Sequence, residues 1–259
     1  IHRDRNTMIS CRVTLNELPN DVAEEILCVD EIRDDDSRWQ LLSTTPTSRS
    51  YKFTPRPHAR SWFVRWSFNY AWPHIRNAFI GRDEATQDWK NVGHAEHCRI
   101  PIVHYRYLGA SRPYFGSLDT LVVTRYIEGT QNLQSFFKQE TTYPLALEET
   151  LIQYGELLAH IHQQGIIHNN FHLANTLIQY EDATRLYVTH WYDMQQNNSG
   201  ETAPLKKDLV TPIRDLLTIG YTQEKIHSFL NAYTTKMPWA TPHTQDLYIQ
   251  AQQTLKKKT

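Results

Sequence analysis

Residues 166–178 read Ile166-Ile167-His168-Asn169-Asn170-Phe171-His172-Leu173-Ala174-Asn175-Thr176-Leu177-Ile178. An amphipathic run from Leu145 to Gln164 leads into them, with Leu147, Leu151, Tyr154, Leu158 and Ile161 on one helical face. Gly165 follows, the residue type that commonly sits just past a helix end. A strand-like apolar run closes the stretch. His168, Asn170, His172 and Asn175 therefore fall on a short connection between a helix and a strand, where side chains are free to meet a ligand.

Their spacing is that of a kinase catalytic loop, H-x-D-x-x-x-x-N. His168 and Asn175 keep the frame, and Asn170 stands where it has aspartate. A carboxylate at that point accepts the proton of the attacking hydroxyl, and the loop asparagine holds a metal ion on the nucleotide phosphates. A primary amide takes up no proton near neutral pH. The loop thus predicts a kinase fold and argues against kinase chemistry.

Outward from the loop, the second half reads as helical with one embedded hairpin. Leu133 to Phe137, Lys206 to Leu217, Thr222 to Thr234 and Thr244 to Leu255 read as helices. Thr176 to Gln179 and Leu186 to Thr189 read as paired strands, and residues 195 to 204 as a loop. The first half is strand-rich. Trp39 to Leu42, Ser50 to Phe53, Ser61 to Trp66, Ile100 to Val103 and Leu121 to Tyr126 carry β-favouring residues. Helices are expected over Leu15 to Ile32 and Arg76 to Val92. The acidic run Asp34-Asp35-Asp36 reads as a solvated linker. Gly129 marks a turn between the halves. The order predicts an α+β, two-lobed protein-kinase-like fold: a helical extension over 1–38, a small β-rich lobe over 39–128 and a larger helical lobe over 129–259.

Composition narrows the class. The 259 residues are 40% hydrophobic and 21% charged, with a formal net charge of −1, which suits a soluble globular protein and gives no sign of a nucleic-acid partner. Cys11, Cys28 and Cys98 form no C-x-x-C pair, so zinc and redox roles have no support and a reducing, cytoplasmic compartment is expected. No apolar run approaches the roughly 18 residues of a membrane span, and no secretory leader is recognisable. The 7 Trp and 14 Tyr, dense between Trp62 and Trp89, read mainly as lobe packing.

Beyond the loop, several stretches resemble the lipopolysaccharide core kinases of Gram-negative bacteria, which phosphorylate Kdo or heptose sugars of the inner core. Leu157 to His168 resembles the family's helix entering the loop. Phe171-His172-Leu173-Ala174-Asn175 resembles its D-L-H-x-x-N ending. Asp88-Trp89-Lys90-Asn91, Arg99-Ile100-Pro101 and Lys207-Asp208-Leu209 resemble further family segments. The resemblance implies an ATP- and Mg²⁺-dependent phosphotransferase with Asn170, His168 and His172 in the catalytic loop. It places Arg65 at the phosphate-gripping lysine, Asp88 at its partner glutamate, and Asn175, His190 and Asp193 as the candidate metal-facing residues. Asp208 is implied to hold the loop from below.

The departures fall on the chemistry. Arginine replaces lysine at 65, and its planar fork grips phosphate differently from a compact ammonium. Asp88 is one methylene shorter than glutamate. Asn170 lacks the base, and losing a general base commonly costs about 10²–10⁴ in rate. His190 takes the place of a magnesium carboxylate, although hard cations prefer oxygen; a one-segment slip would give that role to Asp193 instead. The turn Ser43 to Arg49 has no glycine to cover phosphates. Two readings follow. One is a pseudokinase, a binding or scaffold module of cell-envelope biogenesis that takes a glycolipid or an active kinase relative as partner. The other is an active glycolipid kinase with a non-standard metal site. A choline- or aminoglycoside-kinase relative shares the loop style but matches the first half less well. The basic tail Lys256-Lys257-Lys258 reads as a solvated end, with peripheral contact to an anionic inner membrane as the alternative.

Overall fold

A computed structural model of the chain describes residues 9–27, 36–46, 48–69, 84–112, 118–139, 144–179 and 184–256. Asp34 and Asp35, the first part of the helix expected from Arg76, and Lys257-Lys258 of the basic tail lie outside the described residues. The chain divides into two compact units, one formed by 1–90 and 103–128, the other by 91–102 and 129–259.

The first unit is a six-stranded sheet. Its elements are β1 (Ile9–Asn16), α1 (Asn20–Leu27), β2 (Trp39–Thr45), β3 (Ser48–Phe53), β4 (Trp62–Asn69), α2 (Glu84–His97, crossing into the second unit), β5 (Tyr105–Arg112) and β6 (Leu118–Arg125). Strand order is β1-β5-β6-β4-β3-β2, and every neighbouring pair is antiparallel. Alternation along the strands sends Tyr51, Phe53, Trp62, Val64, Leu121 and Val123 to one face. There they form a buried cluster with Leu18, Val22 and Ile26. Val22 and Ile26 are one helical turn apart, so α1 presents a single apolar edge to the sheet. Trp39 adds aromatic area, its ring tilted against Phe53 with centroids 4.3 Å apart.

Two sequence expectations change here. The extension expected over 1–38 is corrected in its described part, because β1 forms the sheet's edge by pairing with β5. The alternation Ile9, Cys11, Val13, Leu15 carried that signal, and reading Leu15 to Ile32 as one helix obscured it. The expected strand Ile100 to Val103 reduces to a single bridge, Ile102 to Val188, and β5 begins only at Tyr105.

The second unit contains β7 (Thr130–Asn132), α3 (Leu133–Lys138), α4 (Pro144–Gln163), β8 (Ile166–Ile167), β9 (Thr176–Gln179), β10 (Arg185–Val188), β11 (Gln195–Gln196), α5 (Thr202–Thr218), α6 (Gln223–Lys236) and α7 (Thr244–Lys256). Asn132 caps α3 by accepting the Ser135 N–H at 2.8 Å. Helix α4 lies along α6, and Gly155 makes the close approach possible, since a Cβ there would lie 2.3 Å from the Phe229 carbonyl oxygen. Tyr154 is wholly buried, with its ring stacked on Phe171 at 4.7 Å and its O–H donating to the Phe171 carbonyl at 3.2 Å. Gly165 stops α4 at φ +69, a left-handed turn that costs glycine little. Strand β8 then pairs with β11, and β9 pairs with β10 and β7.

Candidate functional site

The loop from His168 to Asn175 is knit mainly by its own polar groups. The backbone N–H of Asn170 donates to His168 Nδ1 at 3.2 Å. The Asn170 carbonyl accepts from the His172 N–H at 2.8 Å and from Asn175 Nδ2 at 3.0 Å. The Asn170 side chain donates through Nδ2 to the Tyr192 hydroxyl at 3.3 Å. Asn169 holds a left-handed backbone at φ +61, which asparagine tolerates better than most residues, and its side-chain amide donates to the Asp193 carbonyl at 2.9 Å.

Helix α5 grips this loop at two places. Asp208, 2% exposed, accepts the backbone N–H of His168 at 2.8 Å. The same oxygen lies 3.1 Å from His162 Nε2, and His162 Nδ1 lies 2.6 Å from the Tyr233 hydroxyl. One arrangement serves all of them: His162 donates to Asp208 and accepts from Tyr233. Burial alone would raise the Asp208 carboxyl; hydrogen bonding and charge from His162, with His168 adding to both, bring it below its ordinary value. Asp215, about two turns further along α5 and so on the same face, accepts His172 Nδ1–H at 2.8 Å and the Leu173 N–H at 3.2 Å. Arg214 reaches the other Asp215 oxygen at 3.5 Å.

His168 is fully enclosed. Its Nδ1 accepts from Asn170, and its ring meets Trp191 edge-on at 4.5 Å. Nε2 makes no well-formed hydrogen bond, although the Thr189 backbone on that side favours the charged form. Burial outweighs that help and pushes the imidazole down to about 4. A neutral, enclosed ring with one nitrogen serving the loop backbone is a packing and positioning group.

Downstream, Thr189 donates its backbone N–H and its hydroxyl to the Asn175 carbonyl, each at 2.9 Å. The hydroxyl also lies 2.9 Å from His190 Nδ1. His190 holds φ +62, a strained conformation for a non-glycine residue. Trp191 is buried and donates Nε1–H to the Val188 carbonyl at 3.1 Å. Asn91 Nδ2 donates to the Trp191 carbonyl at 2.6 Å. The Asp193 side chain is exposed.

Of the metal-facing candidates, Asn175 offers an amide oxygen, His190 an imidazole that a small hard cation disfavours, and Asp193 a carboxylate. Among the described residues, no group of three or more His, Cys, Asp or Glu side chains is placed to hold a metal ion.

The two candidates from the first unit form a separate cluster. Tyr105 donates its O–H to Asp88. Burial first, then the Asp88 carboxylate, push the Tyr105 phenol well above its usual value, while the nearby Arg65 charge pulls the other way. Arg65 sits in mid-sheet, facing Ser50 on β3 and Val122 on β6. Tyr105 was not foreseen. Neither was Asp215, although its spacing from Asp208 put both acids on one helical face and so pointed to it.

A family model described as "Lipopolysaccharide kinase (Kdo/WaaP) family" matches residues 56–233, well over half of the chain. Among solved structures, one described as "WaaP in complex with acyl carrier protein" superposes with a TM-score of 0.55 at 15% identity, covering 92% of this chain and 99% of that one. At that identity the likeness shows the fold, which is kinase-like. No curated protein matches the chain.

Proposed function

Because the chain belongs to the lipopolysaccharide kinase (Kdo/WaaP) family, we propose that it is a pseudokinase of that family. In this reading it is a kinase-fold binding or scaffold module of cell-envelope biogenesis in which phosphoryl transfer has lapsed. The observation that carries this is at Asn170. The group in the general-base position is an amide, and its N–H donates to the Tyr192 hydroxyl. A proton acceptor is required there, and a donor is present. The metal-facing positions depart in the same direction. Phosphoryl transfer depends almost wholly on positioning and charge neutralisation, so an imidazole at His190 and an exposed carboxylate at Asp193 compound the loss.

As a binding module the protein retains what the fold provides without chemistry: a loop fixed from α5 and a polar Arg65–Tyr105–Asp88 cluster. Its partner is a core glycolipid or a second protein. The WaaP structure with acyl carrier protein illustrates the protein-partner case for a related fold. Among the described residues no helix is long and apolar enough to cross a membrane.

The test is a thermal-shift titration with ATP, with and without Mg²⁺ or Mn²⁺, on the parent and on Asn170→Asp. The expected parent result is no metal-dependent stabilisation and no ADP release with lipopolysaccharide core sugar. Metal-dependent stabilisation of the parent, with turnover, would establish the active-kinase alternative instead.

A further inference from the structure

We propose that β2 is a self-pairing edge: two copies of this chain join antiparallel along it, with a two-fold axis at Leu42. Strand order places β2 at one end of the six-stranded sheet. Strand β3 takes one side of its backbone and, among the described residues, no strand takes the other. An outward row of N–H and C=O groups is a template for another strand unless it is blunted.

Charge, proline and bulges do the blunting in most edge strands. Trp39-Gln40-Leu41-Leu42-Ser43-Thr44-Thr45 has no charged residue and no proline. It does carry an irregularity, since the register with β3 skips Leu42. A bulge re-aims a side chain, and the one re-aimed here is leucine, so the edge gains apolar surface where a charge would repel. Only Trp39 of the strand is buried. Leu41 is 54% exposed and Leu42 39%. Leu41 pairs with Tyr51, a member of the unit's buried cluster, and alternation puts it on the same face as Trp39. The sheet's apolar face therefore runs on to its edge and is cut off there.

A second copy is the occupant that this sequence suits. In a two-fold antiparallel pair a strand meets its own sequence reversed. Trp39 and Thr45, the strand's two ends, are equidistant from Leu42. An axis there sets Leu42 against Leu42, Leu41 against Ser43, Gln40 against Thr44 and Trp39 against Thr45. Apolar side chains meet at the centre, Gln40 and Thr44 meet as uncharged polar partners, and no charge meets its like. The next pair outward is Arg38 against Pro46. Arg38 is already ion-paired with Glu25 and Asp36, and proline has no N–H to donate, so the pairing ends where the strand does. A foreign peptide would require no such symmetry.

Size and closure set the kind of dimer. Seven residues span about 23 Å, and one strand pair covers less than the roughly 800 Å² per partner of a standard interface. The association is therefore weak and reversible. It uses the same strand from both copies, so it closes at two, whereas β2 on β1 of the next copy would grow without end.

The test is sedimentation velocity on the full chain from micromolar to near-millimolar concentration, without nucleotide, so that its outcome is independent of the ATP titration. The expected result is a monomer–dimer equilibrium with a dissociation constant of about 10–100 µM, the range open to so small an interface. Leu42→Lys and Leu42→Glu each weaken the dimer about tenfold, because like charges then meet at the axis. Mixing the two variants restores about fivefold of that loss, since opposite charges now face each other. Only a dimer with position 42 against position 42 gives that recovery. Circular dichroism checks folding, and Leu41→Lys, with the same expected weakening, carries the test if a Leu42 variant is unfolded. A parent that stays monomeric throughout, a dimer unchanged in these variants, no recovery on mixing, or growth beyond two copies overturns the proposal.

Discussion

The side-chain amide of Asn170 and the phenol of Tyr192 are hydrogen-bonded at 3.3 Å, with the amide as donor. The residue standing where the kinase loop frame has aspartate is thus engaged by the chain's own hydroxyl. Asn170→Asp reverses the bond's polarity, with Tyr192 then donating to the new carboxylate. Its stability is expected to stay within about 1 kcal/mol of the parent, since one hydrogen bond replaces another. ADP-release assays should find no turnover in Asn170→Asp or in Asn170→Asp with Tyr192→Phe. Turnover in the double variant alone would identify Tyr192 as a second block.

His168 makes stability fall in mild acid. Its folded-state value of about 4 lies below the ordinary 6.5. The unfolded chain therefore binds the proton more readily. The contribution is full above about pH 6.5, declines as pH falls, and stops declining below about pH 4. Between pH 7.5 and 5.5 this amounts to about 1 kcal/mol. Urea unfolding at the two pH values should show a loss larger by that amount in the parent than in His168→Leu. The lowered Asp208 carboxyl acts only below its ordinary value of 3.8, outside this window.

Removing Asp208 leaves the His168 N–H and His162 without their acceptor in a closed interior. Asp208→Ala is expected to cost about 3–5 kcal/mol, as other broken buried pairs do. Chemical denaturation measures it, and a cost below about 1 kcal/mol would show that the clamp contributes little.

Two glycines should respond oppositely to alanine. At Gly155 the new methyl would meet the backbone oxygen of Phe229, which cannot move away without parting α4 from α6. Overpacking of this kind costs about 1–3 kcal/mol. At Gly93, inside α2, nothing lies within 4 Å of the new Cβ. There the gain in helix propensity should stabilise by about 0.5–1 kcal/mol. Paired thermal melts decide both.

Tyr105→Phe removes the donor to the buried Asp88 carboxylate. The expected loss is about 1–3 kcal/mol, read by urea unfolding of the full chain.

The parts of the molecule legible in the sequence were those governed by local rules. The α4 period, the stop at Gly165 and the spacing from His168 to Asn175 are all short-range patterns, and all hold. Strand β1 escaped because its partner β5 is roughly ninety residues away and because Leu15 fitted a helical period equally well. Strand β5 escaped because Gly109, Ala110 and Ser111 weaken its pattern, while pairing with β6 and β1 supplies what propensity does not. At the site, the loop residues were found by spacing, but their partners Tyr192 and Asp215 were not, nor was Tyr105 as the partner of Asp88. A hydrogen bond across tens of residues leaves no local trace, except where two acids share a helix face, as Asp208 and Asp215 do.

That shared face has a mechanical consequence. Both anchors of the loop hang from one helix, so the segment from His168 to Leu173 should move as a single piece. In hydrogen exchange the amides of His168 and Leu173 should open together with α5. A ligand that shifts α5 would carry both histidines with it, turning a local contact into a displacement of the whole segment.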